Sequence, residues 1–135
     1  MIVTAGILTR EGRFLLSRRK PEDSQGVTWE FPGGKVRWGE TPEACIVREL
    51  EEEIGVKART LAIYDIVQVK PGMTILFYIC DTDDEPRVID CADVQWVSPS
   101  LLTSYPTYPT DMRIMRSLAC RYQAVFDLVA ERRKQ

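Results

Sequence analysis

The chain has 135 residues, 44% of them hydrophobic, enough for one domain with a proper core over residues 1–135. Its net charge of −2 argues against binding long nucleic acids, which calls for a basic surface. There is no histidine, so a His-based triad, a His zinc site and an imidazole base are excluded, and acid–base chemistry falls to carboxylates, lysine, tyrosine or water. Cys45, Cys80, Cys91 and Cys120 contain no C-x-x-C pair, which disfavours structural zinc, while spacing alone leaves disulfides open. The Met-Ile-Val-Thr-Ala-Gly start lacks a basic n-region and an apolar h-region, and no apolar run approaches the ~18 residues of a membrane span. The expectation is a cytoplasmic protein with reduced thiols and no membrane partner, as a monomer or a homodimer.

Residues 2–9 and 14–17 read as two strands of a hairpin turned at Gly12, the first apolar at nearly every position and so covered on both faces. Arg18, Arg19 and Lys20 follow, as a solvated strand end or as a phosphate grip. Residues 20–27, with Pro21, Asp23, Ser24 and Gly26, read as a loop. Trp29-Glu30-Phe31 is a short strand whose Trp29 and Phe31 point the same way, into the core or onto a stacked base. Residues 61–69 and 74–80 form a second hairpin around Lys70-Pro71-Gly72.

Further on, residues 81–85 read as a solvated acidic turn, and 89–97 as a strand. Ser98-Pro99 reads as a capped start for a short helix over 99–102, and 104–109 as a stiff loop. Ile114, Leu118, Tyr122, Val125 and Val129 stripe a final helix that ends in Arg132, Arg133 and Lys134, where cations suit the helix dipole.

The stretch from Gly33 to Val56 organises the rest. Thr41-Pro42 starts a helix that runs to Gly55, a residue suited to the left-handed terminal turn. Val47, Leu50 and Ile54 offer a face to the core, and Cys45 reads as packing on the same helix. Glu49, Glu52 and Glu53, at i, i+3 and i+4, project from another face. Crowding like charges there costs a helix a few tenths of a kcal/mol per pair. The face is either simply solvated or a site for a hard divalent cation, which takes oxygen ligands and the phosphates of a substrate. Gly33-Gly34 would let backbone approach such a site closely.

The spacing resembles the signature of the Nudix hydrolases, G-x(5)-E-x(7)-R-E-U-x-E-E-x-G-U with U a bulky aliphatic residue. Gly34, Glu40, Arg48, Glu49, Leu50, Glu52, Glu53, Gly55 and Val56 match its specified positions. The run from Trp29 to Lys35 is similar to the strand entering this box in the MutT-like branch. The resemblance implies an α/β fold, an α/β/α sandwich with a mixed sheet that carries the box as loop–helix–loop. Layers of helix, sheet and helix are also what the covered strands call for.

For the site, the resemblance implies that Glu49, Glu52 and Glu53, with the Gly33 carbonyl, hold Mg²⁺ or Mn²⁺. It implies that Arg48 orients Glu49, that Glu40 is more structural, and that Arg19 contacts nucleotide phosphate. Lys35 is a second phosphate candidate and Phe31 a base wall. Asp90 falls where MutT-like proteins place an additional carboxylate, with Asp instead of Glu. Asp111 falls where they place an Asn that reads oxidised guanine; here it either reads a base or caps the final helix. The implied reaction is hydrolysis of a (deoxy)nucleoside triphosphate, an oxidised guanine or a cytosine nucleotide, to monophosphate and pyrophosphate. Pro71 keeps ADP-ribose hydrolysis as an alternative, and a non-catalytic nucleotide-sensing domain is a further one.

Overall fold

In the computed structural model, which describes residues 1–24 and 26–135, the chain enters its central sheet at once. β1 (Ile2–Arg10) and β2 (Arg13–Arg18) make the predicted hairpin. Glu11 and Gly12 turn it with φ of 51° and 74°, the paired positive values whose twist matches that of two flanking strands. Gln25, one position of the predicted 20–27 loop, lies outside the described residues; a short 3-10 turn at Pro21–Asp23 precedes it.

Then come β3 (Trp29–Glu30), β4 (Gly33–Lys35) and α1 (Pro42–Ile54). The second hairpin follows, β5 (Ala58–Lys70) and β6 (Met73–Thr82), turned at Pro71-Gly72 as predicted. β7 (Asp93–Val97), a 3-10 helix at Pro99–Ser104 and the long α2 (Pro109–Arg133) close the chain. β1 runs parallel to β6 and antiparallel to β4 and β2, so the sheet is mixed. β5 flanks β6, while β7 and β3 pair with β2. No helix among the described residues is long and apolar enough to cross a membrane.

The period of two along each strand divides the core between two helices. Ala5, Ile7, Phe14, Leu16, Phe77 and Ile79 face α2 and pack with its Ile114, Met115, Leu118, Val125 and Val129. Their sequence neighbours Leu8, Leu15, Tyr78 and Cys80 face α1 and pack on Ile46, Leu50 and Ile54. Strands that meet a helix on both faces need apolar side chains at consecutive positions, which is why β1 and β2 do not alternate. The result is the expected α/β/α sandwich.

Local expectations need correction at five places. The buried face of α1 contains Ile46 where Val47 was expected, and Val47 is only half-buried. The acidic turn is not merely solvated, for Asp81 belongs to β6 with its side chain 3% exposed. Arg59 and Arg133 satisfy that carboxylate at 2.6 and 3.0 Å, which is how a buried charge is tolerated.

The last strand starts at Asp93, because the N–H groups of Ile89 and Asp90 donate to the Glu53 carbonyl at the end of α1 instead of to a strand. Ser98 precedes the 3-10 helix without a side-chain capping bond. Tyr122 leaves the α2 stripe and is half exposed, since the helix breaks its helical geometry at Arg121 (φ −109°, ψ 16°) and shifts the following turn.

Candidate active site

Helix α1 begins as its residues dictate. Thr41 Oγ1 accepts the Ala44 N–H at 3.1 Å, Pro42 fills the first turn, and Gly55 ends the helix at φ 69°. Beside it, β4 is held against β1 by an alternating antiparallel ladder. The Gly6 N–H donates to the Pro32 carbonyl at 2.7 Å and the Val36 N–H to the Ile2 carbonyl at 2.9 Å. That phase turns the N–H and C=O of Gly33 and Lys35 away from β1, toward α1. The Gly33 N–H donates to Glu53 Oε2 at 3.2 Å, and the Lys35 carbonyl accepts from Arg48 at 3.2 Å. The approach is so close that a Cβ on Gly33 would stand 1.9 Å from the Thr4 carbonyl oxygen, and one on Gly34 2.4 Å from the Glu49 carboxyl.

Arg48 is the hub of the acidic face. Its Nε and Nη2 donate to Glu40 at 2.7 and 2.9 Å, and its Nη1 to Glu49 at 2.8 Å and Glu52 at 3.2 Å. The predicted Arg48–Glu49 contact is therefore formed. Glu40 also accepts the Arg37 N–H at 3.1 Å, so it ties the loop before α1 to the helix. The Arg48 hydrogen bonds, then the Arg37 N–H, bring its carboxyl down to about 2.

Glu53 is different. Burial first, then the negative charges of Glu30 and Glu49, push its carboxyl up to about 9. Glu30 is raised by burial too, against the opposing pull of Arg19. Both line a small polar cavity of about 100 Å³ with Asp90, whose carboxylate is held by Lys20 in an ion pair. Among the described residues no three Cys, Asp or Glu side chains converge on one point. Glu49 and Glu52 turn to Arg48, and Glu53 to Gly33. The donor chemistry nonetheless fits a hard divalent cation: all oxygen, on one helix face, beside a carbonyl turned away from β1, with the half-buried Glu53 crowded by anions.

A cleft of about 660 Å³ opens on the other side of β4 and brings together all the predicted substrate-binding residues, Arg19, Phe31, Lys35 and Asp111, with Gly33. Phe31 is 2% exposed and lies edge-on to Phe77, so it serves mainly as core. Asp111 Oδ2 accepts the Phe31 N–H at 3.2 Å. This corrects the alternative in which Asp111 caps α2: the carboxylate is spent on β3's exit, and the N-cap residue is Tyr108. Burial first, then Glu30, pushes the Asp111 carboxyl up to about 7.

Arg19 donates to Glu30 at 3.2 Å and to the Asp23 carbonyl at 3.1 Å, with the Tyr108 ring 5.8 Å from its guanidinium carbon. Lys35 reaches solvent at the rim. Glu30 and Tyr108 also line this cleft, and neither was singled out from the sequence as a site candidate. A lone charge inside Trp-Glu-Phe and a tyrosine held in Tyr-Pro-Thr-Tyr-Pro were the available signals.

An acidic helix face behind a Gly-Gly strand, inside an α/β/α sandwich, defines a Nudix hydrolase. A NUDIX domain model matches residues 2–118, and the chain belongs to that family. Its relatives place it in the MutT-like branch. It is 32% identical to a CTP pyrophosphohydrolase of Escherichia coli (strain K12), over 85% of this chain and 88% of that one. It is 34% identical to an 8-oxo-dGTP diphosphatase of Haemophilus influenzae, over 86% and 89%. In fold it is similar to a MutT structure from work on the Aliivibrio salmonicida and Vibrio cholerae proteins, with TM-score 0.79 and 27% identity over 88% of this chain and 96% of that one.

Proposed function

We propose that the protein hydrolyses (deoxy)nucleoside triphosphates to nucleoside monophosphate and pyrophosphate, with cytosine or oxidised guanine nucleotides preferred, and that residues 1–135 act as a single domain. The cleft carries this reading: one strand, β4, separates a buried carboxylate suited to a base edge, Asp111, from the glutamate face of α1. The relatives' names, a CTP pyrophosphohydrolase and an 8-oxo-dGTP diphosphatase, support the same substrate class.

In this reading Asp111, with one oxygen on the Phe31 N–H, presents the other to the base. As a carboxylate it accepts from the cytosine amine or from the N–H groups of a guanine edge, whereas uracil and thymine would oppose it with a carbonyl oxygen. Tyr108, 42% exposed at the rim, offers the ring face that Phe31 has buried. Arg19 and Lys35 hold the phosphates at the cleft mouth. The Gly33 carbonyl, Glu49, Glu52 and Glu53 would hold Mg²⁺, with Mn²⁺ as a substitute. Such an ion, when bound, screens phosphate charge and acidifies a coordinated water. Arg48 keeps Glu49 and Glu52 on that side of the helix, and Glu53 keeps its proton until positive charge compensates it. Asp90 joins the catalytic set once Lys20 releases it into the cavity it shares with Glu53.

The test is a panel of NTPs, dNTPs, oxidised guanine nucleotides, ADP-ribose and dinucleoside polyphosphates with Mg²⁺, with products separated by ion-exchange chromatography. Monophosphate and pyrophosphate from cytosine or oxidised guanine triphosphates are expected. ADP-ribose as the best substrate, or no turnover of any compound, would overturn the reading.

A further inference from the structure

The side chains beneath β4 form a contact that the reaction as described does not use. Thr4 and Gly34 are partners in the β1–β4 register, and Thr4 is buried. Its Oγ1 donates to the Gly34 carbonyl at 3.2 Å and meets Cys45 Sγ at 3.3 Å. The Cys45 thiol, fully buried on α1, lies 3.6 Å from the same carbonyl and 3.7 Å from Arg48 Nη2. Cys45 stands one helical turn before Glu49, on the same side of α1. The Glu49 carboxyl in turn fills the place a Gly34 side chain would take. Between the Gly33–Glu53 and Lys35–Arg48 contacts, the Gly34 carbonyl is thus gripped from β1 by Thr4 and from α1 by Cys45.

We propose that Thr4 and Cys45 are positioning residues for the cation site: by holding the Gly34 carbonyl they set the separation of β4 from α1, and so the place of the Gly33 carbonyl relative to Glu49 and Glu53. The proposal rests on the reading of Gly33 and the glutamates as cation ligands. Gly33 carries no side chain that could anchor it, and its neighbour's carbonyl is where buried side chains of both β1 and α1 hold the strand. Supports of this kind orient the ligands of a metal, and their loss costs tenfold or more in metal affinity. Thr4 also discriminates between roles, because valine has its shape without its hydroxyl.

The experiment is a Mn²⁺ titration of the substrate-free protein, followed by electron paramagnetic resonance, for the wild type and the Thr4→Val, Thr4→Ser and Cys45→Ala variants. Thermal unfolding in EDTA and steady-state kinetics accompany it. Thr4→Val is expected to weaken Mn²⁺ binding by about tenfold and to lower kcat with little change in KM at saturating metal. Thr4→Ser is expected to restore both, and Cys45→Ala to shift Mn²⁺ affinity in the same direction as Thr4→Val. Wild-type Mn²⁺ affinity in Thr4→Val and Cys45→Ala, with only the melting temperature lowered, would overturn the proposal and leave a packing contact. Should Thr4→Val fail to fold, Cys45→Ala decides by the same comparison. No Mn²⁺ binding by the wild type would overturn the cation-site reading and this proposal with it.

Discussion

The N–H of Phe31 donates to Asp111 Oδ2 at 3.2 Å, a bond between residues 80 apart that ties the exit of β3 to the first turn of α2 across the cleft. It places a buried carboxyl where the base is proposed to lie and sets its protonation against the stability of the fold.

The sign of that coupling is testable. The Asp111 carboxyl rises from an ordinary 3.8 to about 7 in the folded protein. Its contribution to stability is therefore complete below about pH 4 and is lost as pH rises through about 7. At about 1.4 kcal/mol per unit the loss has an upper bound of about 4 kcal/mol. Asp111→Asn keeps an acceptor for the Phe31 N–H and removes the titration. Thermal unfolding at pH 5 and pH 8 should show the wild type losing more stability than the variant over that interval. Parallel losses in both proteins would refute the assignment.

Base choice follows from the same carboxylate. Asp111→Ala should bring the kcat/KM values for cytosine and uracil nucleotides together more than it slows the best substrate. A uniform slowing with selectivity intact would confine Asp111 to holding Phe31.

Catalysis should depend on Glu53. Glu53→Gln keeps the shape and a hydrogen-bond acceptor for the Gly33 N–H, so the fold should survive by circular dichroism while turnover falls by orders of magnitude. EDTA should do the same to the wild type. Full activity in either case would remove Glu53 from the mechanism.

Arg19 is already engaged, with Glu30 and with the Asp23 carbonyl. If it also grips phosphate, Arg19→Ala should cost roughly 1.5–3 kcal/mol in kcat/KM for triphosphates, the value of a lost charge-assisted hydrogen bond. Kinetics equal to the wild type would reduce it to a tether between the 20–27 loop and β3.

At the far end of the molecule, Arg133 donates to Asp81, Asp83 and the Thr82 carbonyl, and it closes α2 onto β6. Arg133→Ala leaves Arg59 with the buried Asp81 carboxylate, so the cost should be about 1–2 kcal/mol in urea unfolding, with activity unchanged. A loss below a few tenths would mean that Arg59 alone satisfies Asp81.

Much of this was legible in the residues. Consecutive apolar positions in β1 announced a strand covered twice, and Thr41-Pro42 with Gly55 bounded α1 to within a residue, because caps and turn glycines act locally. The register of Glu49, Glu52 and Glu53 on one face is helical arithmetic and needed no tertiary contact. Pairings made at long range were not legible. The acidic run at residues 81–85 looked solvated because its partners, Arg59 and Arg133, lie 22 and 52 residues away from Asp81. The strand expected from Ile89 starts late because backbone N–H groups there are taken by the end of α1.

The site divides in the same way. By itself the sequence determined which residues carry its charges, and through their spacing the helix face on which three of them stand. Only the tertiary structure decided what those charges meet: that Arg48 is held by Glu40 and the Lys35 carbonyl, that Glu53 turns to the Gly33 N–H, and that Asp111 turns from its own helix to the Phe31 N–H. The physical reason is that a side chain's burial and its long-range partners set its protonation and reach, and both arise only when distant segments close on one another.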